Sequence, residues 1–269
     1  MKAYSKYKQG LLDNSLGHRT AIRNGSYTGT TSGLAPGFVQ GNVVIIPAAY
    51  AEDFYKFCHQ NPTPCPLISV SEAGDPSMPA LGQDLDIRTD IPEYLLFRDG
   101  QVAESMTDLT AIWRDDLVTF VLGCSFSFED ALQSAGIPVR NVDSCSNVSM
   151  YRTNIPTKPA GPFKGNLVVT MRPFSPQDAI RAIQITTRLP KAHGAPVHMG
   201  SPSLIGIRDL SAPEFGDPVD IYEHEIPLYW GCGVTTQVAL EGAKLPFAIT
   251  HVPGKMIITE LLNEELSVL

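Results

Sequence analysis

Three short stretches of the chain concentrate residues that can do chemistry. The first is Pro190–Asp209, PKAHGAPVHMGSPSLIGIRD, which holds two histidines, three glycines, three prolines and two serines. A segment so rich in conformationally special residues is costly unless it holds side chains in a fixed place. His193 and His198 sit either side of Gly194 and Pro196, so a stiff, turned backbone sets their separation. The stretch reads as the lip of a site, and the competing reading is an ordered connection with two surface histidines. The other two stretches echo each other. Gly123-Cys124-x-x-Ser127-x-x-x-Ala131-Leu132 matches Gly231-Cys232-x-x-Thr235-x-x-x-Ala239-Leu240, and each follows an apolar run and opens a helix. A thiol at a helix N-terminus can have a lowered pKa. Cys124 and Cys232 are therefore candidates for acid/base or nucleophilic roles, against the commoner case of buried structural thiols. Two half-sites facing one ligand would produce this echo, and so would chance.

Further candidates are single residues. His193 and His198 could bind a metal with Glu225 or His251, but H-x-x-x-x-H on a loop is not a tight ligand spacing. Acid/base or surface histidines are the stronger reading. A divalent metal is left open without support, and no organic cofactor is required. Arg88, Arg152 and Arg172 follow strands or sit in constrained turns, and arginine suits bidentate carboxylate recognition. Asp86 and Asp90 flank Arg88, so simple pairing is the stronger reading there. Tyr151-Arg152-Thr153-Asn154 offers several donors in a row. Cys58, Cys65 and Cys145 lack a reactive context, and Cys58 reads as core. Gly25–Gly41, with five glycines, could line an anion pocket with backbone N–H groups or could simply cover a site. It lacks the phosphate-loop pattern, and no strand leads into a G-x-G-x-x-G.

The elements that must position these residues alternate. Strands are expected at Asn42–Pro47, Leu67–Val70, Tyr94–Arg98 (before an Asp-Gly turn), Leu117–Leu122 and Asn166–Met171. Shorter strands are expected at Ile205–Ile207, Val219–Tyr222, Pro227–Trp230, Phe247–Thr250 and Lys255–Thr259. Helices are expected at Ala51–Asn61, stopped by Pro62, at Phe128–Ala135, and at Thr236–Ala243. In the second of these, Ser127 fits the N-cap and Asp130 the reach-back position. Another helix opens with Ser175 as cap, Pro176 at N1 and Asp178 at N3, turns Ile180 and Ile183 inward, and ends at Pro190. A brief helix is expected over Thr110–Asp116, and residues 1–25 form a short helix or an arm. This alternation predicts an α/β fold: a mixed-sheet, three-layer domain from 1–75 and 151–269, with a smaller α+β part over 76–150.

The 269 residues permit one large domain or two moderate ones. At 43% hydrophobic residues the chain can bury a core. Charged residues make up 18%, the net charge is −8, and no Lys/Arg cluster appears, so general nucleic-acid binding is not expected. Apolar runs such as Leu117–Leu122 are far shorter than the roughly 20 residues of a membrane span. The start MKAYSKYKQG has no apolar core of a leader, and the five cysteines include no C-x-x-C. Reduced thiols in a cytoplasmic protein are expected. The partner is expected to be a small amino acid or carboxylic acid, with a homo-oligomer left open.

Taken together, the runs TSGLAPGFVQGNVVIIP, FCHQNPTPCPLI, DIRTDIPEY, WRDDLVTFVLGCSFSFEDAL, MYRTNIP, VVTMRPF, HGAPVHMGSPSLIGIRDL, WGCGVTTQ and FAITHVPGKM closely resemble a bacterial family of "putative hydro-lyases". That family is related to the domain of D-glutamate cyclase. The resemblance covers nearly the whole chain after about residue 20. It implies a two-part α/β fold and dehydration of D-glutamate to 5-oxo-D-proline, and it carries no catalytic residues over. Ring closure needs a clamp for the α-carboxylate, an acceptor for an ammonium proton, a cradle for a tetrahedral oxyanion and a donor to the departing oxygen. Arg152 or Arg172 would clamp. The N–H groups beside Cys124 and Ser125 would hold the oxyanion. His193 or His198 would move protons, with Glu129 or Glu225 as a second acid/base, while Asn154 and Ser125 bind substrate. A two-cysteine amino-acid racemase or epimerase is the second enzyme reading. A non-catalytic small-acid-binding partner in 5-oxoproline metabolism is the third.

Overall fold

β1 (Phe38–Pro47) is buried along its whole length, and the larger of two sheets is built around it. A run reading FVQGNVVIIP is apolar on both faces, as a strand covered on both sides must be. The computed structural model describes residues 14–268. Helix α1 covers residues 14–23, and residues 1–13 of the expected N-terminal arm lie outside the described part. α1 is held by charge: the buried Arg19 bonds Asp84 and Glu260, and Arg23 bonds Asp90.

After β1 come α2 (Ala51–Gln60), β2 (Leu67–Val70), β3 (Tyr94–Arg98), β4 (Gln101–Met106), β5 (Leu117–Gly123), α3 (Phe126–Ser134) and α4 (Arg140–Asp143). Then follow β6 (Met150–Pro156), β7 (Asn166–Phe174), α5 (Pro176–Thr187), β8 (His198–Met199), β9 (Ile226–Gly231), α6 (Thr235–Ala243), β10 (Ala248–His251) and β11 (Ile257–Leu262). The seven-stranded sheet runs β2-β5-β1-β10-β3-β4, with β11 also on β1, and the four-stranded sheet runs β6-β7-β9-β8. All of these pairings are antiparallel. The fold is the expected α/β architecture with a second, smaller sheet. Strands from the 76–150 stretch lie in the same sheet as β1, so the smaller sheet comes from later residues.

One face of the large sheet packs on Phe54, Phe57 and Cys58 of α2 and on Ala239 and Leu240 of α6. The other is covered by Met78, Leu81, Leu85 and Ile87 from the loop before β3. The small sheet packs Leu228 and Trp230 against α3 and α5, and Tyr229 against Ile205 and Ile207. The two sheets meet where β5 and β9 end, in a cluster containing Cys124, Phe126, Val168, Cys232 and Val234.

Several expectations are corrected. α3 starts at Phe126 rather than Phe128, with Ser125 as cap residue and no side-chain cap bond. Ser127 is inside the helix, where its hydroxyl accepts from Gln40 N at 3.4 Å. Ser175 caps α5 as expected, accepting from Asp178 N at 3.2 Å. Ile180, however, is 60% exposed, because the inward stripe is Ala179, Ala182 and Thr186. Small residues there let α5 approach the indole of Trp230, whose Nε1 donates to Thr186 Oγ1. Ile205–Ile207 and Val219–Tyr222 are not strands: the first overlaps a single turn of 3-10 helix over Pro202–Ile205, and the second has no regular structure.

Two glycines mark where a backbone is closely approached, once by another backbone and once by a side chain. A Cβ on Gly123 would lie 1.6 Å from Lys191 O, and one on Gly233 would lie 2.2 Å from the Asn42 amide. Gly123→Ala is expected to destabilise the fold by about 3 kcal/mol or more. Gly17→Ala, in exposed helix with nothing within 4 Å, is expected to stabilise it by about 0.5–1 kcal/mol. Urea denaturation of both variants checks the pair.

Candidate active site

The site is built where two strand-to-helix turns face each other. β5 and β9 each end on a glycine, and a short turn that opens with a cysteine leads into α3 and α6. The backbone of Phe126 favours the Cys124 thiolate and that of Val234 the Cys232 thiolate, so the two turns place their thiols alike. β1 ties them together: Asn42 Nδ2 donates to Gly123 O at 2.7 Å while its amide packs against Gly233. The echo seen in the sequence thus corresponds to two adjoining turns. Burial pushes the Cys124 thiol up to about 12 and the Cys232 thiol up to about 11. That corrects the expected lowering, because desolvation of a thiolate outweighs what a helix start and Arg172 return.

Arg172, from β7, is the charge at the centre. Its Nε donates to Glu129 Oε1 at 3.0 Å, Nη1 to Thr170 Oγ1 at 3.0 Å and Nη2 to Ser125 Oγ at 2.9 Å. Nη2 also bonds Glu129 Oε1. The guanidinium carbon lies 4.8 Å from the Phe128 ring centroid and 5.7 Å from that of Trp230. Stacking and a fixed fork are what arginine offers and lysine does not. Glu129 Oε1 further accepts from Asn141 Nδ2 at 3.0 Å. Glu129, Arg172 and Ser125 are all buried. Every bond to Glu129 ends at Oε1, which leaves Oε2 without a donor among the described residues.

His193 adjoins this unit. It is buried in a left-handed conformation (φ 75°), and its Nδ1 lies 2.8 Å from Thr63 O. Burial holds its pKa down at about 4, with the nearby Arg172 charge acting in the same direction. His251, also buried, sits where β1 exchanges β10 for β11. Its Nδ1 accepts from Val43 N at 3.1 Å, Nε2 has no partner among the described residues, and burial lowers its pKa to about 4.

The remaining predicted residues lie elsewhere. His198 is on β8, its Nε2 2.8 Å from Ser201 O and its ring 5.5 Å from that of Tyr229. Glu225 pairs with Arg140. Arg152 pairs with Glu241 at 2.9 Å and covers Phe215, and Asn154 is exposed. Arg88 pairs with Asp86, whereas Asp90 is taken by Arg23. Among the described residues no group of three or more His, Cys, Asp or Glu is placed to hold a metal, and this includes His193, His198, Glu225 and His251.

A hollow of about 90 Å³ opens between loop residues 33–38, Gln40, the start of α3 and Asn263, and Glu129 and Asp130 line it. Gly33, Ala35 and Gly37 all have positive φ in that loop, so the glycine-rich stretch is a shaped wall. Larger hollows, such as the one of about 430 Å³ beside Cys58, Cys65 and Lys191, touch none of the Arg172 unit. Gln40 and Asn263 were missed by sequence reasoning. The usable signal for Gln40 was a polar residue that, with Asn42, interrupts a buried and mainly apolar strand.

Two predictions follow from burial. His193 and His251 stay neutral in the fold but take up protons at their ordinary pKa of 6.5 when unfolded. Stability is therefore full above about pH 6.5 and is lost as pH falls toward 4, by roughly 3 kcal/mol per histidine. Urea midpoints between pH 7 and 4 should show this slope, and His193→Gln should flatten it. Of the cysteines only Cys145 is exposed. A thiol reagent is expected to modify one cysteine quickly in the native protein and the other four after denaturation.

Residues 118–260 match the family model described as D-glutamate cyclase. A protein named "Putative hydro-lyase" from Bradyrhizobium diazoefficiens is 58% identical over 251 residues, covering 93% of this chain and 92% of the relative. One of the same name from Aliivibrio fischeri is 55% identical over 264 residues, 97% of this chain and 99% of that one. Another, from Verminephrobacter eiseniae, is 58% identical over 248 residues, 92% of this chain and 90% of that relative. The chain belongs to the "putative hydro-lyase" family, and residues 118–260 carry its match to the D-glutamate cyclase model.

Proposed function

We propose that the protein is a hydro-lyase that closes D-glutamate to 5-oxo-D-proline and water. The observation that carries this reading is the buried Ser125–Arg172–Glu129 unit, with Glu129 lining a hollow next to it. Family membership supports it, since the matched domain is described as D-glutamate cyclase. A carboxylate with one oxygen locked by arginine and the other unbonded is a positioned proton acceptor. The reaction then balances as follows. The substrate ammonium gives a proton to Glu129. The freed amine pair forms the C–N bond to the γ-carboxyl carbon. One γ-oxygen leaves as water, carrying the two protons that nitrogen loses. Ser125 accepts from Arg172 and has no acceptor for its own hydroxyl among the described residues, so it is available to donate to the γ-oxygen as charge grows there. Holding the substrate curled supplies proximity, and no step calls on an organic cofactor.

The adjoining thiols of Cys124 and Cys232 favour a racemase as the second reading. That reading needs one thiol ionised, and burial raises both. Proton NMR in D2O with D- and L-glutamate separates the two. 5-Oxoproline formed from the D-isomer with its Cα–H retained is the expected result. Loss of Cα–H signal supports the racemase, and an inert protein overturns the glutamate reading. Glu129→Gln is expected to lower kcat by about 10²–10⁴-fold. Arg152→Ala, which removes only a half-exposed pair with Glu241, should change kcat by less than about twofold.

A further inference from the structure

Two buried amide oxygens face no donor, and both belong to residues that line the same hollow. Gln40 Nε2 donates to Thr31 O and Leu34 O, each at 2.9 Å. Two carbonyl acceptors fix which end of the amide is nitrogen, so Oε1 is an acceptor by geometry, and it is buried with no partner among the described residues. Asn263 Nδ2 lies 3.4 Å from Asp130 Oδ2, which orients that amide, and its Oδ1 is also buried and unpaired. Gln40 is 3% exposed and Asn263 8%. The two residues are far apart in sequence, yet both line the hollow of about 90 Å³ together with Glu129 and Asp130.

Buried acceptors left without donors cost stability in the free protein. Their placement around one small hollow fits a ligand that brings the donors. Besides Gln133, the lining offers these two buried amide oxygens and two carboxylates, so the matching group is compact, cationic and rich in N–H. A primary ammonium has three N–H donors on one tetrahedral centre. The geometry points to an ammonium subsite in which Gln40 Oε1 and Asn263 Oδ1 accept from the substrate's α-ammonium beside Glu129. This deepens the glutamate reading and rests on it for the identity of the amine. Gln40 and Asn263 then select for a free primary amine, and an analogue without it leaves both oxygens unpaired.

The test compares D-glutamate with glutarate, which has the same two carboxylates and no amine. Calorimetry is run on wild type, Gln40→Met and Asn263→Leu, each confirmed as folded by its circular dichroism melt. Wild type should prefer D-glutamate by about tenfold or more. The preference should fall to about onefold in either variant, with glutarate affinity kept within about twofold. An undiminished preference in both variants overturns the subsite, even if D-glutamate is turned over and the cyclase reading stands. If wild type does not bind D-glutamate, ethylammonium chloride is titrated while the side-chain amide NMR signals of Gln40 and Asn263 are followed. Shifts in wild type that vanish in the variants keep the ammonium subsite while the glutamate reading falls. No shift, or the same shift from potassium chloride at equal ionic strength, overturns the subsite.

Discussion

A guanidinium enclosed between the small sheet and α3 imposes the main constraint on this molecule. An unpaired buried charge is intolerable in a dry interior, and a buried pair is stable only when its remaining donors are also satisfied. Arg172 meets that condition with three partners from two places: Thr170 on its own strand, and Ser125 and Glu129 at the start of α3. The position of α3 is therefore tied to β7, and the end of the large sheet to the small one. Asn141 takes a further share of Glu129, which fixes the carboxylate from a second direction. Phe128 and Trp230 flank the guanidinium and help keep water away.

Close backbone approach serves the same junction. Gly123 admits Lys191 O, and Gly233 admits the Asn42 amide that also holds Gly123 O. The first contact brings the turn before His193 against β5, which sets that imidazole near Arg172. The second locks the two thiol turns to β1. Larger residues at either glycine would separate the layers that the ion pair draws together. Stiffness also comes from His251, which binds Val43 N where β1 changes neighbours, and so replaces a missing ladder bond with a side-chain one.

Much of the framework was legible from local signals. The apolar run of β1, the Pro62 stop after α2, the Asp-Gly turn before β4 and the Ser175 cap of α5 all act within a few residues, and each appears where expected. Signals that depend on a partner misled. Ile180 fits the helical period, but the inward stripe went to alanines because Trp230 needs the room. His198, Glu225, Arg152 and Asn154 look as able as their neighbours to bind substrate. Three of them end in contacts of their own and the fourth lies in solvent.

The sequence by itself determined many of the elements, among them β1, α2, β3 and α5, together with the acidic character of the chain and its family. These rest on spacing, composition and extended runs of matching residues, which survive without coordinates. Only the tertiary structure decided which polar residues share a site. Glu129, Arg172 and Ser125 meet because two sheets converge, and Gln40 and Asn263 meet because β1 starts beside the chain that leaves β11. It also decided the protonation of the thiols and of His193, since desolvation depends on what the rest of the chain places around them.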